Sequence, residues 1–92
     1  MNFDSNTDIT IQTEQCMRNI EQVLLAAGSD FNHVIKTTIL LVDINEFTAV
    51  NDIYSKYFTD IKPARACYAV KSLPKGALVE IEAIAVKRKP TN

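Results

Sequence analysis

The stretch His33-Val34-Ile35-Lys36-Thr37-Thr38-Ile39-Leu40-Leu41-Val42 decides the fold. It is rich in β-branched residues and predicts a strand. Side chains alternate along a strand. One face carries Ile35, Thr37, Ile39 and Leu41, and the other carries Val34, Lys36, Thr38, Leu40 and Val42. Both faces are largely apolar, so both are expected to be covered. A layer of helices accounts for one. The second needs a further layer, such as another subunit.

Helical periodicity lies on both sides of this strand. Upstream, Ile9, Thr13, Cys16, Met17, Ile20, Val23, Leu24 and Ala27 recur at spacings of three and four, an apolar stripe on one helix. Thr7 or Asp8 can cap its start, and Gly28 stands where a left-handed C-terminal residue belongs. Glu14 and Arg18 form a favourable i,i+4 pair on the other side. Downstream, Asp43 and Glu46 have the spacing of a capping box. Phe47, Val50, Tyr54, Tyr57 and Phe58 then make a second helical stripe. After Lys62-Pro63 come two more strands, Ala64 to Ser72 and Ala77 to Val86, with Leu73-Pro74-Lys75-Gly76 as a tight turn between them. The order helix, strand, helix, strand, strand predicts an α+β fold with two helices on one face of a single sheet. Residues 1–7 read as a loose arm and 87–92 as a solvated basic tail, within one domain spanning 1–92.

Composition narrows the function classes. The chain has 92 residues, 47% hydrophobic and 23% charged, which suits one small globular domain and excludes a disordered tail. The longest apolar run, Val23 to Ala27, is far short of the ~20 residues that a membrane-crossing helix needs. Ten basic and eleven acidic residues leave a net charge of -1, so a polyanion such as nucleic acid is a poor partner. No basic, apolar leader opens the chain, and the two cysteines form no CxxC pair. The expectation is two reduced thiols in a cytoplasmic compartment, and no metal site.

The last two strands carry the chemistry. If they form a hairpin with Leu73 and Gly76 flanking its turn, opposed residues have numbers summing to 149. Arg65, Cys67, Lys71, Glu80 and Glu82 then share one face, and Val79, Ile81, Ala83 and Ala85 take the other, beneath the helices. Two readings fit this face. One is an ion pair between Arg65 and the diagonal Glu82. The other is a small-anion site, in which the Arg65 guanidinium grips a carboxylate and a nearby glutamate orients water or acts as a base. Cys67 has no histidine beside it in sequence, which favours a packing or site-lining residue over a nucleophile. Cys16 falls on the apolar helix stripe and reads as core, and His33 as a surface or cap residue.

The phrase Pro63-Ala64-Arg65-Ala66-Cys67-Tyr68-Ala69-Val70-Lys71-Ser72-Leu73, followed after five residues by Val79-Glu80-Ile81, resembles the signature of the RidA/YjgF/YER057c/UK114 (L-PSP) family of reactive-intermediate deaminases. Leu25-Ala26-Ala27-Gly28, Val34-Ile35-Lys36-Thr37-Thr38, Ala49-Val50-Asn51-Asp52-Ile53-Tyr54 and Leu73-Pro74-Lys75-Gly76-Ala77-Leu78-Val79-Glu80 are similar too. The likeness runs from about Asp8 to Arg88.

This resemblance implies a chorismate-mutase-like fold with a mainly antiparallel sheet. It implies a homotrimer with sheets inward, helices outward and clefts between subunits. It implies hydrolytic deamination of enamines and imines such as 2-aminoacrylate and 2-aminocrotonate, giving 2-keto acids and ammonia, with no metal or organic cofactor. Carried over residue by residue, Arg65 holds the substrate carboxylate and Glu80 positions the attacking water. Cys67 lines the cleft, and Asn51 lies near the same cavity. Relatives usually begin with a strand hairpin before the first helix, whereas this chain starts near that helix, so a shortened member is expected. Two alternatives remain beside the deaminase: a non-catalytic trimeric carboxylate-binding or regulatory protein, and an endoribonuclease or translation inhibitor. The charge balance disfavours the last.

Overall fold

Strand β1, Val34–Leu41, takes the middle of a three-stranded sheet. The computed structural model describes residues 8–87, so the arm at 1–7 and the tail beyond Lys87 lie outside the described residues. Helix α1 is Ile9–Ala26, α2 is Phe47–Tyr57, β2 is Ala64–Ala69 and β3 is Val79–Ala85. The α+β order is the expected one, with both helices on one face of the sheet.

The sheet is mixed, in the order β2-β1-β3. β1 runs parallel to β2, with Thr37 level with Arg65 and Leu41 with Ala69. It runs antiparallel to β3, with Thr37 level with Ala83 and Leu41 with Val79. This corrects the hairpin reading: β2 and β3 are separated by β1. The turn residues are real, with a 3-10 turn at Pro74–Gly76 where Lys75 and Gly76 have φ of +60° and +69°. They belong to an arch over the C-terminal end of β1. There Val70 N–H donates to the Leu41 carbonyl at 2.8 Å, and Val42 N–H to the Leu78 carbonyl at 3.1 Å. β2 ends at Ala69 and β3 begins at Val79, so residues 70–72 and 77–78 of the predicted strands belong to the arch. The parallel pair follows from α2, since parallel neighbours need a crossover long enough to hold a helix.

Local signals in α1 act as read. The Asp8 carboxylate accepts from Ile11 N–H at 2.9 Å. At the far end Gly28 has φ +77°, Gly28 N–H donates to Leu25 O and Ser29 N–H to Leu24 O, the paired bonds of a Schellman close. Glu14 and Arg18 approach to 4.0 Å. Val23 and Ala27 of the predicted stripe are exposed instead, and the buried positions include Gln12, whose Oε1 accepts from Leu78 N–H at 2.7 Å.

Two other expectations need correction. Asp43 and Glu46 do not make a capping box. Asp43 accepts from Asn45 N–H at 3.0 Å and caps a 3-10 turn at Ile44–Glu46, while Glu46 makes no side-chain cap bond to α2. A bulge between Val34 and Lys36 breaks the alternation at the start of β1. Val34 is therefore buried and Ile35 exposed, the reverse of strict alternation from Thr37.

Met17, Ile39, Leu41, Val50 and Val79 are fully buried between the helices and the sheet. Phe31, Tyr54, Tyr57 and Phe58 close one end with tilted and edge-on ring contacts. Among the described residues no helix covers the opposite sheet face. Tyr68 and Ile84 there are 59% and 57% exposed, on a face that also carries half-buried Leu40. No helix among the described residues is long and apolar enough to cross a membrane.

Candidate functional site

Arg65 is the centre of the site, and α2 sets its direction. Phe47, Asn51 and Tyr54 stand at i, i+4 and i+7 on one side of that helix. Arg65 Nη1 donates to Asn51 Oδ1 at 2.5 Å. The guanidinium carbon lies 5.2 Å from the Phe47 ring centre and 5.0 Å from that of Tyr54. Each ring face attracts the cation, worth about 0.5–1 kcal/mol at an exposed position. Tyr54 is itself fixed, because its hydroxyl is 2.7 Å from the buried Thr37 hydroxyl on β1. Three side chains from one helix thus hold a planar cation against the edge strand β2. Among the described residues no ion pair occupies that cation.

The guanidinium opens onto a cavity of about 460 Å³ lined by Asn51, Tyr54, Ser55, Phe58, Lys62, Pro63 and Arg65. That size is within the usual range for a small-molecule cleft. The lining is polar and cationic, so the arrangement suits a small anion. The family resemblance implied Asn51 near the cavity of Arg65, and in the structure the two side chains are hydrogen-bonded. Sequence reasoning read Phe47 and Tyr54 only as core and missed Ser55 and Lys62. The signal for the ring cradle was present in the i, i+4, i+7 spacing around Asn51.

Glu80 is elsewhere. Arg65 is level with Thr37, whereas Glu80 is level with Leu40, three residues further along β1 and therefore on the opposite face. Glu82 shares the Glu80 face, so neither the predicted shared face nor the Arg65–Glu82 ion pair forms. The cause is parity. A hairpin summing to 149 would place odd-numbered β2 residues beside even-numbered β3 residues, whereas β1 aligns odd with odd. Glu80 is half-buried on the uncovered face, and Tyr68 lies two strands away at the same level, across Leu40.

Cys67 is level with Ile39 and half-buried. Burial pushes its thiol above the ordinary value of 9.0, and the Arg65 charge offsets part of that. A protonated thiol at neutral pH fits a lining residue rather than a nucleophile. Cys16 is also half-buried, its sulfur 3.9 Å from the Val79 carbonyl, and burial raises its thiol as well. His33 ends a 3-10 turn, with Nδ1 2.7 Å from Asp30 Oδ1, away from Arg65. Among the described residues no three of His, Cys, Asp and Glu converge as metal ligands do.

Comparison with known proteins gives a consistent result. Over 76 residues the chain is 57% identical to the goat (Capra hircus) protein named 2-iminobutanoate/2-iminopropanoate deaminase, covering 83% of this chain and 56% of that one. The chain therefore spans little more than half the length of the curated relatives it matches. The crystal structure of YEO7 from yeast superposes with a TM-score of 0.87 at 46% identity, covering 90% of this chain and 66% of that one. TdcF of E. coli with bound serine gives 0.84 at 34% identity, covering 89% and 67%. The profile of the Endoribonuclease L-PSP family matches residues 2–87, and the chain belongs to that family, the RidA/YjgF group.

Proposed function

We propose that this chain carries the enamine/imine deaminase function, hydrolysing small 2-imino acids to 2-keto acids and ammonia. The observation that carries the proposal is the Arg65 guanidinium, held by Asn51 and two rings over a polar cavity and free of any carboxylate among the described residues. The deaminase names of relatives at 51–57% identity support it. So does the serine bound to TdcF, a small molecule with a carboxylate.

The chemistry needs little from the protein. An imine carbon is already electrophilic, so holding substrate and water together supplies much of the rate. Arg65 grips the carboxylate with parallel N–H bonds. Water adds to the imine carbon while a carboxylate removes one of its protons. That proton passes to the nitrogen to give a carbinolamine. The proton of the new hydroxyl then also moves to the nitrogen through the same carboxylate, the C–N bond breaks, and ammonia leaves a carbonyl behind. An enamine first takes a proton at its β-carbon to become the imine. Glu80 is the base in this scheme, with the Cys67 main chain lining the cleft.

Because Arg65 and Glu80 face opposite sides of one sheet, one chain cannot present both to one substrate. The scheme therefore takes Glu80 from a second copy, whose sheet face meets this one in a homotrimer. The uncovered face, where exposed Tyr68 and Ile84 stand among Glu80, Glu82 and Lys36, supports that assembly. The test couples the protein to threonine dehydratase and follows 2-oxobutanoate release. Acceleration that is lost with Glu80→Gln supports the scheme. Keto-acid binding without acceleration would leave a carboxylate-binding protein. A monomer by sedimentation at micromolar concentration would remove the intersubunit site.

A further inference from the structure

We infer that Lys62 gives the Arg65 cleft a second anion contact, so that the site prefers 2-imino and 2-keto acids carrying another carboxylate at the far end. This rests on the carboxylate-binding reading of Arg65 given above and adds a substrate class to it.

Four features of the cleft carry the inference. Both Lys62 and Arg65 line the same cavity, and no acidic residue lines it. Among the described residues neither cation has an ion-pair partner. Two like charges in one cleft without a neutralising acid raise the local concentration of anions, and of dianions most. The spacing separates the two contacts. Lys62 is three residues before Arg65 and two before the start of β2; a fully extended path of three residues spans about 10 Å. Pro63 disfavours the helical region for Lys62 and so biases that path toward extended backbone. A diacid seated on the Arg65 fork has a second carboxylate to offer the Lys62 ammonium, a contact that a monocarboxylate on the same fork lacks. Finally, the wall between them is polar. Asn51 and Ser55, one helical turn apart on α2, both line the cavity and can accept or donate along the length of such a ligand.

A competing role for Lys62 comes from the same geometry. α2 ends at Tyr57, and its C-terminal end carries partial negative charge that a nearby lysine offsets. In that case Lys62 would affect stability and not ligand choice, and the experiment separates the two.

A matched pair of keto acids isolates the second carboxylate. 2-Oxoglutarate and 2-oxopentanoate have the same chain length and differ only in a terminal carboxylate against a methyl group. Titration calorimetry on the whole protein should show 2-oxoglutarate binding about tenfold more tightly, the size of one charge-assisted contact at a partly exposed site. Lys62→Gln should erase most of the preference by weakening 2-oxoglutarate far more than 2-oxopentanoate, and Lys62→Arg should keep it. Raising the salt concentration should weaken the diacid more than the monoacid. Equal affinities in the parent protein overturn the inference without any variant being needed. A preference that survives Lys62→Gln, or a melting shift with no change in preference, also overturns it. 2-Oxobutanoate in parallel keeps the two levels apart. Binding of 2-oxobutanoate without diacid preference sinks only the Lys62 role, while no binding of any keto acid sinks the Arg65 site as well.

Discussion

Arg65→Lys keeps the charge of the site and removes its shape. In the parent, Asn51 takes Nη1 at 2.5 Å, and the rings of Phe47 and Tyr54 hold the guanidinium plane. The remaining N–H groups stay available in a fixed fork for a carboxylate. An ammonium still sits near both rings and keeps part of that attraction. It cannot satisfy Asn51 and two carboxylate oxygens in one plane. Losing one charge-assisted hydrogen bond costs about 1.5–3 kcal/mol, which is about tenfold to more than a hundredfold in affinity. The fold should hardly notice, because Arg65 is exposed on an edge strand, where substitutions change stability by about 0.5 kcal/mol or less. Titration calorimetry with 2-oxobutanoate reads the affinity, and thermal melting with sedimentation checks fold and assembly. The expected result is weak binding by a protein with parental melting. If Arg65→Lys binds 2-oxobutanoate as tightly as the parent does, the cradle on α2 is packing, and the carboxylate site lies elsewhere.

Three more outcomes follow from the same geometry. Glu80→Gln should lower deaminase turnover by about 100- to 10,000-fold while keto-acid binding persists, and Glu82→Gln should retain more; equal losses at both positions reject Glu80 as the base. Tyr54→Phe strands the buried Thr37 hydroxyl, which costs about 1–2 kcal/mol and should lower the melting temperature by roughly 5–10 °C with affinity largely kept; lost binding at unchanged melting would contradict the role given to that hydroxyl pair. Because burial raises the Cys67 thiol, its thiolate fraction at pH 8 is below that of a free thiol, so iodoacetamide should label it more slowly than glutathione and speed up as pH rises; faster labelling at pH 8 would point to an activated cysteine.

How much of this was legible in the sequence depended on the range of each interaction. The Asp8 cap and the Gly28 close are decided within a few residues, and they formed as read. The double-sided apolar pattern from Thr37 to Leu41 called for cover on both faces, which is a statement about layers and left the central place of β1 in the sheet unread. Its start was misread because a bulge adds one residue without any compositional mark. The flanking strands were the real failure. Pro74 and Gly76 favour a chain reversal, but a reversal inside a hairpin and one inside an arch over β1 use the same residues. Turn chemistry alone cannot separate them. The separating signal was the helix between β1 and β2, which permits a parallel pair and leaves the other side of β1 for β3.

The consequence for the site was larger than for the fold. A shift of one in parity changes no strand and no core residue type, yet it moves every side chain of one strand to the other face. Here it moved Glu80 and Glu82 away from Arg65 and left the guanidinium to Asn51 and two aromatic rings. The charged groups that looked like neighbours along a hairpin are separated by the thickness of a sheet. Any chemistry that needs an acid and a cation on one substrate must then be built between copies. The open face with Tyr68 and Ile84 is where such copies can meet, because its exposed apolar area is stabilised by burial against a second sheet. On the proposed scheme assembly and catalysis are coupled: Ile84→Lys, which charges that face, should abolish both oligomer formation by sedimentation and deaminase turnover, although it touches neither Arg65 nor Glu80. Turnover by a monomeric Ile84→Lys variant would refute the intersubunit site.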